Sequence, residues 1–257
     1  QSNSKWRKYC LMFVYQIKVE YLGTNFVGWQ IQRNGLSIQE VLEKILSKFF
    51  KRKISVIGSG RTDAGVHADE QSAHFKINKE ILNKNTTINS LNFFLKRYPI
   101  SILDIKKRKK NFHARHSAKE RTYKYFIINR AGSLALEKNK AWHIRKKINI
   151  KLMKKGANLL KGTHDFSTFR ASSCVAKSPV RTIKNITISR RRNKITLTFV
   201  SKSFLQQQVR SMVGALEYLG SKKWTFDYFK RVFLSKKRTM CASPAPPHGL
   251  YLSKVVY

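Results

Sequence analysis

Acidic residues are scarce in this chain: 13 Asp and Glu stand against 53 Lys and Arg in 257 residues, a formal net charge of +40. So few carboxylates cannot neutralise the surface. The chain is therefore suited to a polyanion, with nucleic acid ahead of an anionic membrane. Lys, Asn and Ile are also what an AT-rich coding sequence favours, which inflates the Lys count but does not explain the missing acids. Cysteine is nearly absent. Cys10, Cys174 and Cys241 are odd in number, far apart and never in a CxxC pair, which argues against a disulfide framework and a zinc ribbon and fits a reducing cytosol. No run approaches the roughly 18 apolar residues of a membrane span. The apolar stretch from Tyr9 to Tyr15 behind Lys5, Arg7 and Lys8 lacks a small-residue cleavage site, and its alternation through Gln16, Lys18 and Glu20 predicts a strand. His113 and His116 have no further ligands near them, and no HxE with CxxC exists, so a zinc deaminase is excluded.

What is present is a core-forming chain. Hydrophobic residues make up 42%, enough for one large or two modest domains. Ser37-Ile-Gln-Glu40 reads as a capping box, and Ile38, Val41, Leu42, Ile45, Leu46 and Phe49 repeat behind it at helical spacing. Ile54 to Ile57 predicts a short strand, Gln71 to Ile77 a second, Ile88 to Lys96 a helix stopping before Pro99, and Ser101 to Arg108 another strand. The basic run Lys106 to Lys110 is the best boundary, dividing the chain into residues 1–108 and 109–257. Beyond it come a strand from Arg121 to Asn129, a helix from Ile150 to Lys161, and a hairpin from Arg181 to Val200 turning at Arg192-Asn193. Leu205, Val209, Met212, Val213, Leu216 and Leu219 mark the stripe of a helix ending at Gly220, and a short helix follows Thr225. The stiff segment Ser243-Pro-Ala-Pro-Pro-His-Gly249 leads into a terminal strand, Leu250 to Val256. Without regular βαβ alternation, this pattern predicts an α+β fold in two halves, each a mainly antiparallel sheet with helices.

Gly58-Ser-Gly-Arg-Thr-Asp-Ala-Gly-Val-His67 carries the most weight, because three glycines allow backbone conformations and close ligand approach that other residues would block. A dinucleotide GxGxxG would need glycine where Asp63 stands, and a P-loop begun at Gly60 would need Lys where Val66 stands, so both fail. What remains is an aspartate beside Arg61 in a chain poor in acids. By composition alone such an Asp is ordinarily a cap or an Asx-turn.

The literal string Gly60-Arg-Thr-Asp-Ala-Gly-Val-His67 resembles the catalytic motif of the TruA family of tRNA pseudouridine synthases. Further segments are similar in the same order: Phe26-Val-Gly-Trp-Gln30, Phe112-His-Ala-Arg115, Glu120-Arg-Thr-Tyr-Lys-Tyr125, Gly162-Thr-His-Asp-Phe-Ser167, Lys177-Ser-Pro-Val-Arg-Thr182, Val209-Arg-Ser-Met-Val-Gly214 and Pro246-Pro-His-Gly-Leu-Tyr-Leu252. The resemblance implies a cytoplasmic homodimer that needs neither cofactor nor metal. Its two halves would enclose a basic cleft, and it would isomerise uridine to pseudouridine at positions 38 to 40 of the tRNA anticodon stem-loop.

By that resemblance Asp63 is the catalytic carboxylate. A nucleophile or base is needed while the glycosidic C–N bond breaks and the detached uracil turns to rejoin through carbon. Arg210 matches the arginine that pairs with and orients the aspartate, Tyr123 the tyrosine that stacks on the target base, Arg61 the arginine that helps expel the nucleotide, and Leu250 the leucine that packs the uracil pocket. Each has a plainer reading. Arg210 lies about 120° from the middle of its helix's apolar stripe and would otherwise be solvated. Tyr123 shares a strand face with Arg121 and Tyr125 and would otherwise be core. Arg61 would otherwise be a local counter-ion of Asp63, and Leu250 ordinary strand core. Gln206-Gln-Gln208 stands where family members commonly carry histidines; glutamine keeps hydrogen bonding but cannot become cationic.

Overall fold

The computed structural model describes residues 12–257. Lys5, Arg7, Lys8, Cys10 and the first part of the stretch from Tyr9 lie outside the described residues. Among these residues ten strands join in one mostly antiparallel sheet, with five α-helices, which is the α+β fold expected.

The chain enters as β1 (Phe13–Tyr21) and turns into α1 (Ile38–Phe49), where the Ser37 hydroxyl accepts from the Glu40 amide and Ile38, Val41, Leu42, Ile45 and Leu46 are buried. The short β2 is only Ile57–Gly58. Ile54 and Val56 are buried without joining a ladder, so the strand expected over Ile54 to Ile57 is mostly extended coil. β3 (His67–Ile77) starts four residues before the expected Gln71. α2 (Lys84–Leu95) likewise starts before the expected Ile88, because Asn83 caps it through the Thr86 amide. β4 (Ile100–Arg108), β5 (Glu120–Asn129), β6 (Trp142–Ile144), α3 (Ile150–Leu159) and β7 (Gly162–Asp165) follow. β8 (Val180–Arg191) and β9 (Lys194–Ser201) form the expected hairpin, with Arg192 in the left-handed region at its tip. α4 (Gln208–Gly220), α5 (Phe226–Leu234) and β10 (Leu250–Val256) complete the chain.

Strand order is β4-β1-β3-β10-β5-β9-β8-β7, with β2 beside β3 and β6 beside β5. The joint between the two sides of this sheet is narrow. The final strand β10 runs antiparallel along β5 but meets β3 in parallel over only Tyr251–His67 and Leu252–Ala68. Further along β3, Ala73 and His74 pair instead with β2. A fork therefore opens between β3 and β10, and the loop from Ser59 to Val66 runs through it.

α4 departs from its expected amphipathic stripe. It is buried nearly all round, with Gln208, Ser211 and Glu217 enclosed as well as its apolar residues. The reason is the segment from Ser243 to Ala245, which lies so close that a side chain at Gly214 would strike the Ser243 carbonyl at 2.1 Å. A polar stripe in the sequence thus faces protein rather than solvent.

Candidate active site

The loop carrying Asp63 is pinned by backbone and side-chain hydrogen bonds at Ser59, Gly60 and Thr62. The Ser59 amide donates to the Ser72 carbonyl at 2.7 Å, and the Ser59 hydroxyl to Gln71 Oε1 at 2.8 Å. Gln71 Nε2 in turn donates to the Gly60 carbonyl at 2.9 Å. The Thr62 carbonyl accepts from the Trp29 amide at 3.0 Å, and its hydroxyl shares a hydrogen bond with the Tyr21 phenol at 2.8 Å. This explains Phe26-Val-Gly-Trp-Gln30. Gly28 adopts φ +110°, and any Cβ there would meet the Thr62 carbonyl at 2.6 Å, so only glycine lets this segment lie against the loop.

His67 closes the far end. Its Nδ1 accepts from the Gly23 amide at 2.8 Å, which leaves the proton on Nε2 to donate to the carbonyls of Asn139 (3.0 Å) and His248 (3.1 Å). Burial pushes its pKa down, which keeps this neutral form. The histidine thereby ties the loop to the closing segment before β10.

Within this frame Arg210 Nη1 donates to Asp63 Oδ2 at 3.2 Å, with side-chain exposures of 14% and 29%. Arg210 Nε also donates to the Ala245 carbonyl at 2.8 Å, and the Ala245 amide to the Arg210 carbonyl at 2.9 Å. The guanidinium is thus aimed at Asp63 by a two-way clasp with the closing segment. Arg61 is exposed, and among the described residues the salt-bridge partner of Asp63 is Arg210, so the local counter-ion reading of Arg61 fails.

Tyr123 is 8% exposed, edge-on to Phe204 with ring centroids 5.2 Å apart. A Cβ on Gly60 would lie 3.9 Å from its hydroxyl, which places the phenol beside the Asp63 loop. Burial, opposed by Arg121 and aided by the charge of Asp63, pushes its pKa up to about 12. The phenol therefore stays protonated at neutral pH. Leu250 is buried at the start of β10, opposite Tyr125, whose hydroxyl donates to the Pro246 carbonyl at 2.8 Å. Asp63, Arg210 and Tyr123 are brought together. Leu250 follows the segment that clasps Arg210, and Arg61 stands exposed outside the ion pair.

Nothing in the sequence assigns Arg121 a role. It is 7% exposed, with its guanidinium enclosed by backbone carbonyls. A single cation on the buried face of β5 with Tyr123 and Tyr125 was the available signal. Of the Gln206-Gln-Gln208 run, Gln206 is exposed, Gln207 takes φ 59° before α4, and Gln208 is buried, its Oε1 accepting from the Leu205 amide at 2.8 Å. Among the described residues no cluster of three or more His, Cys, Asp or Glu could hold a metal ion, and no helix is long and apolar enough to cross a membrane.

A family model described as tRNA pseudouridine synthase matches residues 17–117 and 157–257. Asp63 falls in the first stretch and Arg210 and Leu250 in the second, while Arg121 and Tyr123 stand between them. The protein is an enzyme of the pseudouridine synthase class, an isomerase. More narrowly, the chain belongs to the tRNA pseudouridine synthase family. It is 58% identical over 246 residues to tRNA pseudouridine synthase A of Pelagibacter ubique (strain HTCC1062), covering 96% of this chain and 100% of that protein. The proteins of the same name from Parvibaculum lavamentivorans and Ehrlichia canis are 40% and 41% identical, each covering 95% of this chain and 98% and 99% of their own lengths.

Proposed function

We propose that this synthase acts on uridines 38 to 40 of the tRNA anticodon stem-loop, with Asp63 as the reacting carboxylate. The observation that carries this reading is the Asp63–Arg210 ion pair at 3.2 Å, set beside the protonated phenol of Tyr123. Isomerisation breaks C1′–N1, turns the uracil, forms C1′–C5 and releases the C5 hydrogen as a proton while N1 gains one. A carboxylate serves this by attack on the sugar, attack on the base, or removal of a sugar proton, and needs neither metal nor organic cofactor. Arg210 orients Asp63, Tyr123 stacks on the extruded base, Arg61, exposed at the surface, helps expel the nucleotide, and Leu250 packs against the uracil.

The RNA enters a basic cleft between the halves 1–108 and 109–257. A cytoplasmic homodimer in which both subunits touch one tRNA suits a substrate larger than one subunit's cleft. Position-resolved mapping on a pool of unmodified tRNAs, incubated with the enzyme without added metal, tests the reading. Pseudouridine should arise at 38, 39 and 40 only; its appearance elsewhere, with these uridines untouched, contradicts the assignment. Light scattering should give a dimer at moderate salt, and a fully active monomer would refute the shared-substrate arrangement.

A further inference from the structure

Arg121 is a buried cation that meets no carboxylate among the described residues. Its Nε and Nη2 both donate to the Ser59 carbonyl, at 3.2 and 2.6 Å; Nη2 also donates to the Arg115 carbonyl at 2.9 Å, and Nη1 to the carbonyl of Lys202. A buried charge left unpaired is expensive, so three chain segments presenting oxygens to one guanidinium are an arrangement that needs a reason. Packing alone would be served by an apolar side chain.

The reason lies in what holds the front of the Asp63 loop, ahead of the contacts that Asp63 makes with Arg210 and His67 with the closing segment. Ser59, Gly60 and Thr62 are otherwise gripped by Ser72 and Gln71 on β3, by Tyr21 on β1, and by the Trp29 amide, all on one side of the fork. Tyr123 rides on β5, on the other side, where the sheet joins β3 over two residue pairs only. Arg121 stands two residues before Tyr123 on the same buried face, so its grip on Ser59 ties the loop to the strand that carries the tyrosine. A Cβ on Gly60 would lie 3.7 Å from Arg121 Nε and 3.9 Å from the Tyr123 hydroxyl, so the three groups are in register.

We propose that Arg121 is a positioning residue of the reaction: it fixes the spacing between the Asp63 loop and Tyr123, so that the carboxylate and the stacked base meet at reacting distance. Its burial keeps it from tRNA phosphates, so it acts through geometry and not through affinity. The proposal rests on Asp63 being the reacting carboxylate, and the controls separate the two.

The test is steady-state turnover on unmodified tRNA for Arg121→Met, Arg121→Lys and Asp63→Asn, each checked for folding by circular dichroism at the assay temperature. Folded Arg121→Met should lose roughly 30- to 100-fold in kcat, as misplacement by about an ångström does, with KM within about threefold. Arg121→Lys should fall between, because one ammonium cannot reach all three carbonyls. A folded Met variant with kcat within about threefold of wild type overturns the proposal, as does a rise in KM at unchanged kcat. If the Met variant does not fold, the Lys variant decides: a loss of kcat beyond about fivefold at constant KM supports positioning, and wild-type kcat overturns it. Activity in Asp63→Asn would overturn the aspartate assignment and this proposal together, whereas a dead Asp63→Asn beside a fully active Arg121→Met would overturn this proposal alone.

Discussion

Two enclosed guanidinium groups flank the Asp63 loop, and they are held in opposite ways. Arg210, on α4, meets a carboxylate and a clasp of backbone bonds from the closing segment. Arg121, on β5, meets carbonyl oxygens alone among the described residues. The first contact is a charge match to the Asp63 carboxylate; the second is a shape match to the loop beneath it. The two sides of the site should therefore fail differently. A change at Arg210 acts through charge at Asp63, and a change at Arg121 acts through distance between Asp63 and Tyr123.

With Asp63 in place, the largest loss is expected from Arg210→Met. Removing an oriented charge beside Asp63 should lower kcat about 100- to 1,000-fold, while Arg210→Lys, which keeps the charge, should recover most of it. Single-turnover rates on tRNA measure both. Equal losses for Lys at 210 and at 121 would erase the distinction between charge and shape. Next comes Tyr123: Tyr123→Leu should lose the roughly 1–3 kcal/mol of a base–aromatic contact, whereas Tyr123→Phe, which keeps the ring and its edge contact with Phe204, should bind tRNA as the wild type does. If Phe is as impaired as Leu in every assay, the phenol outweighs the stack.

A smaller effect separates the two sides by pH. His74, on β3 opposite Ile57 of β2, is 2% exposed, and burial, then the charges of His113 and Lys76, push its pKa down to about 4. Its Nδ1 accepts from the Ala114 amide at 3.2 Å. The native state thus binds its proton less readily than the unfolded chain. Its contribution is complete above the ordinary histidine range near 6.5 and fades as pH falls toward 4, the loss reaching at most about 1.4 kcal/mol at pH 5.5. Thermal unfolding of the wild type should fall between pH 7.5 and 5.5, and His74→Gln should flatten that fall; an unchanged slope in the variant would exonerate His74.

The smallest effect concerns the surface. Arg190, Arg191 and Arg192 are exposed at one end of the β8–β9 hairpin, and Lys106 to Lys110 lie across the sheet at the end of β4. Affinity for tRNA should fall steeply with salt through counterion release, and replacing Arg190–Arg192 by alanine should lower the slope of log affinity against log salt by about 0.7 to 0.9 for each phosphate no longer neutralised. A slope near zero in the wild type would detach the excess charge from RNA binding.

Elements whose signals are local were legible. Ser37 and the Ile38–Leu46 stripe define α1, Arg192-Asn193 turns the hairpin, and the prolines before Leu250 deliver the chain to β10 with the bounds expected. Elements defined by their neighbours were not. His67-Ala-Asp-Glu70 lacks strand alternation because it lies at the joint where β3 is flanked by both β1 and β10. α4 has a polar stripe that the returning Ser243–Ala245 segment and the helices packed on α4 help to cover. At the site, the motif string pointed to Asp63 and Arg210, 147 residues apart in sequence and paired in the structure. Arg121 stands inside the motif from Glu120 to Tyr125, and its place on one strand face with Tyr123 and Tyr125 is the only sign it gives, because nothing local tells a guanidinium that will face solvent from one that will be wrapped by carbonyls of Ser59, Arg115 and Lys202.

The central claim is that one carboxylate does the chemistry and does not merely cap its turn. Asn at 63 keeps the shape and most of the hydrogen bonding that a turn needs, so Asp63→Asn separates the two roles. The measurement is release of tritium from C5-labelled uridine in tRNA, beside tRNA affinity and thermal unfolding of the same variant. The expected result is no detectable release with folding and RNA binding retained; release within about tenfold of wild type, a barrier change of only about 1.4 kcal/mol, would remove Asp63 from the mechanism.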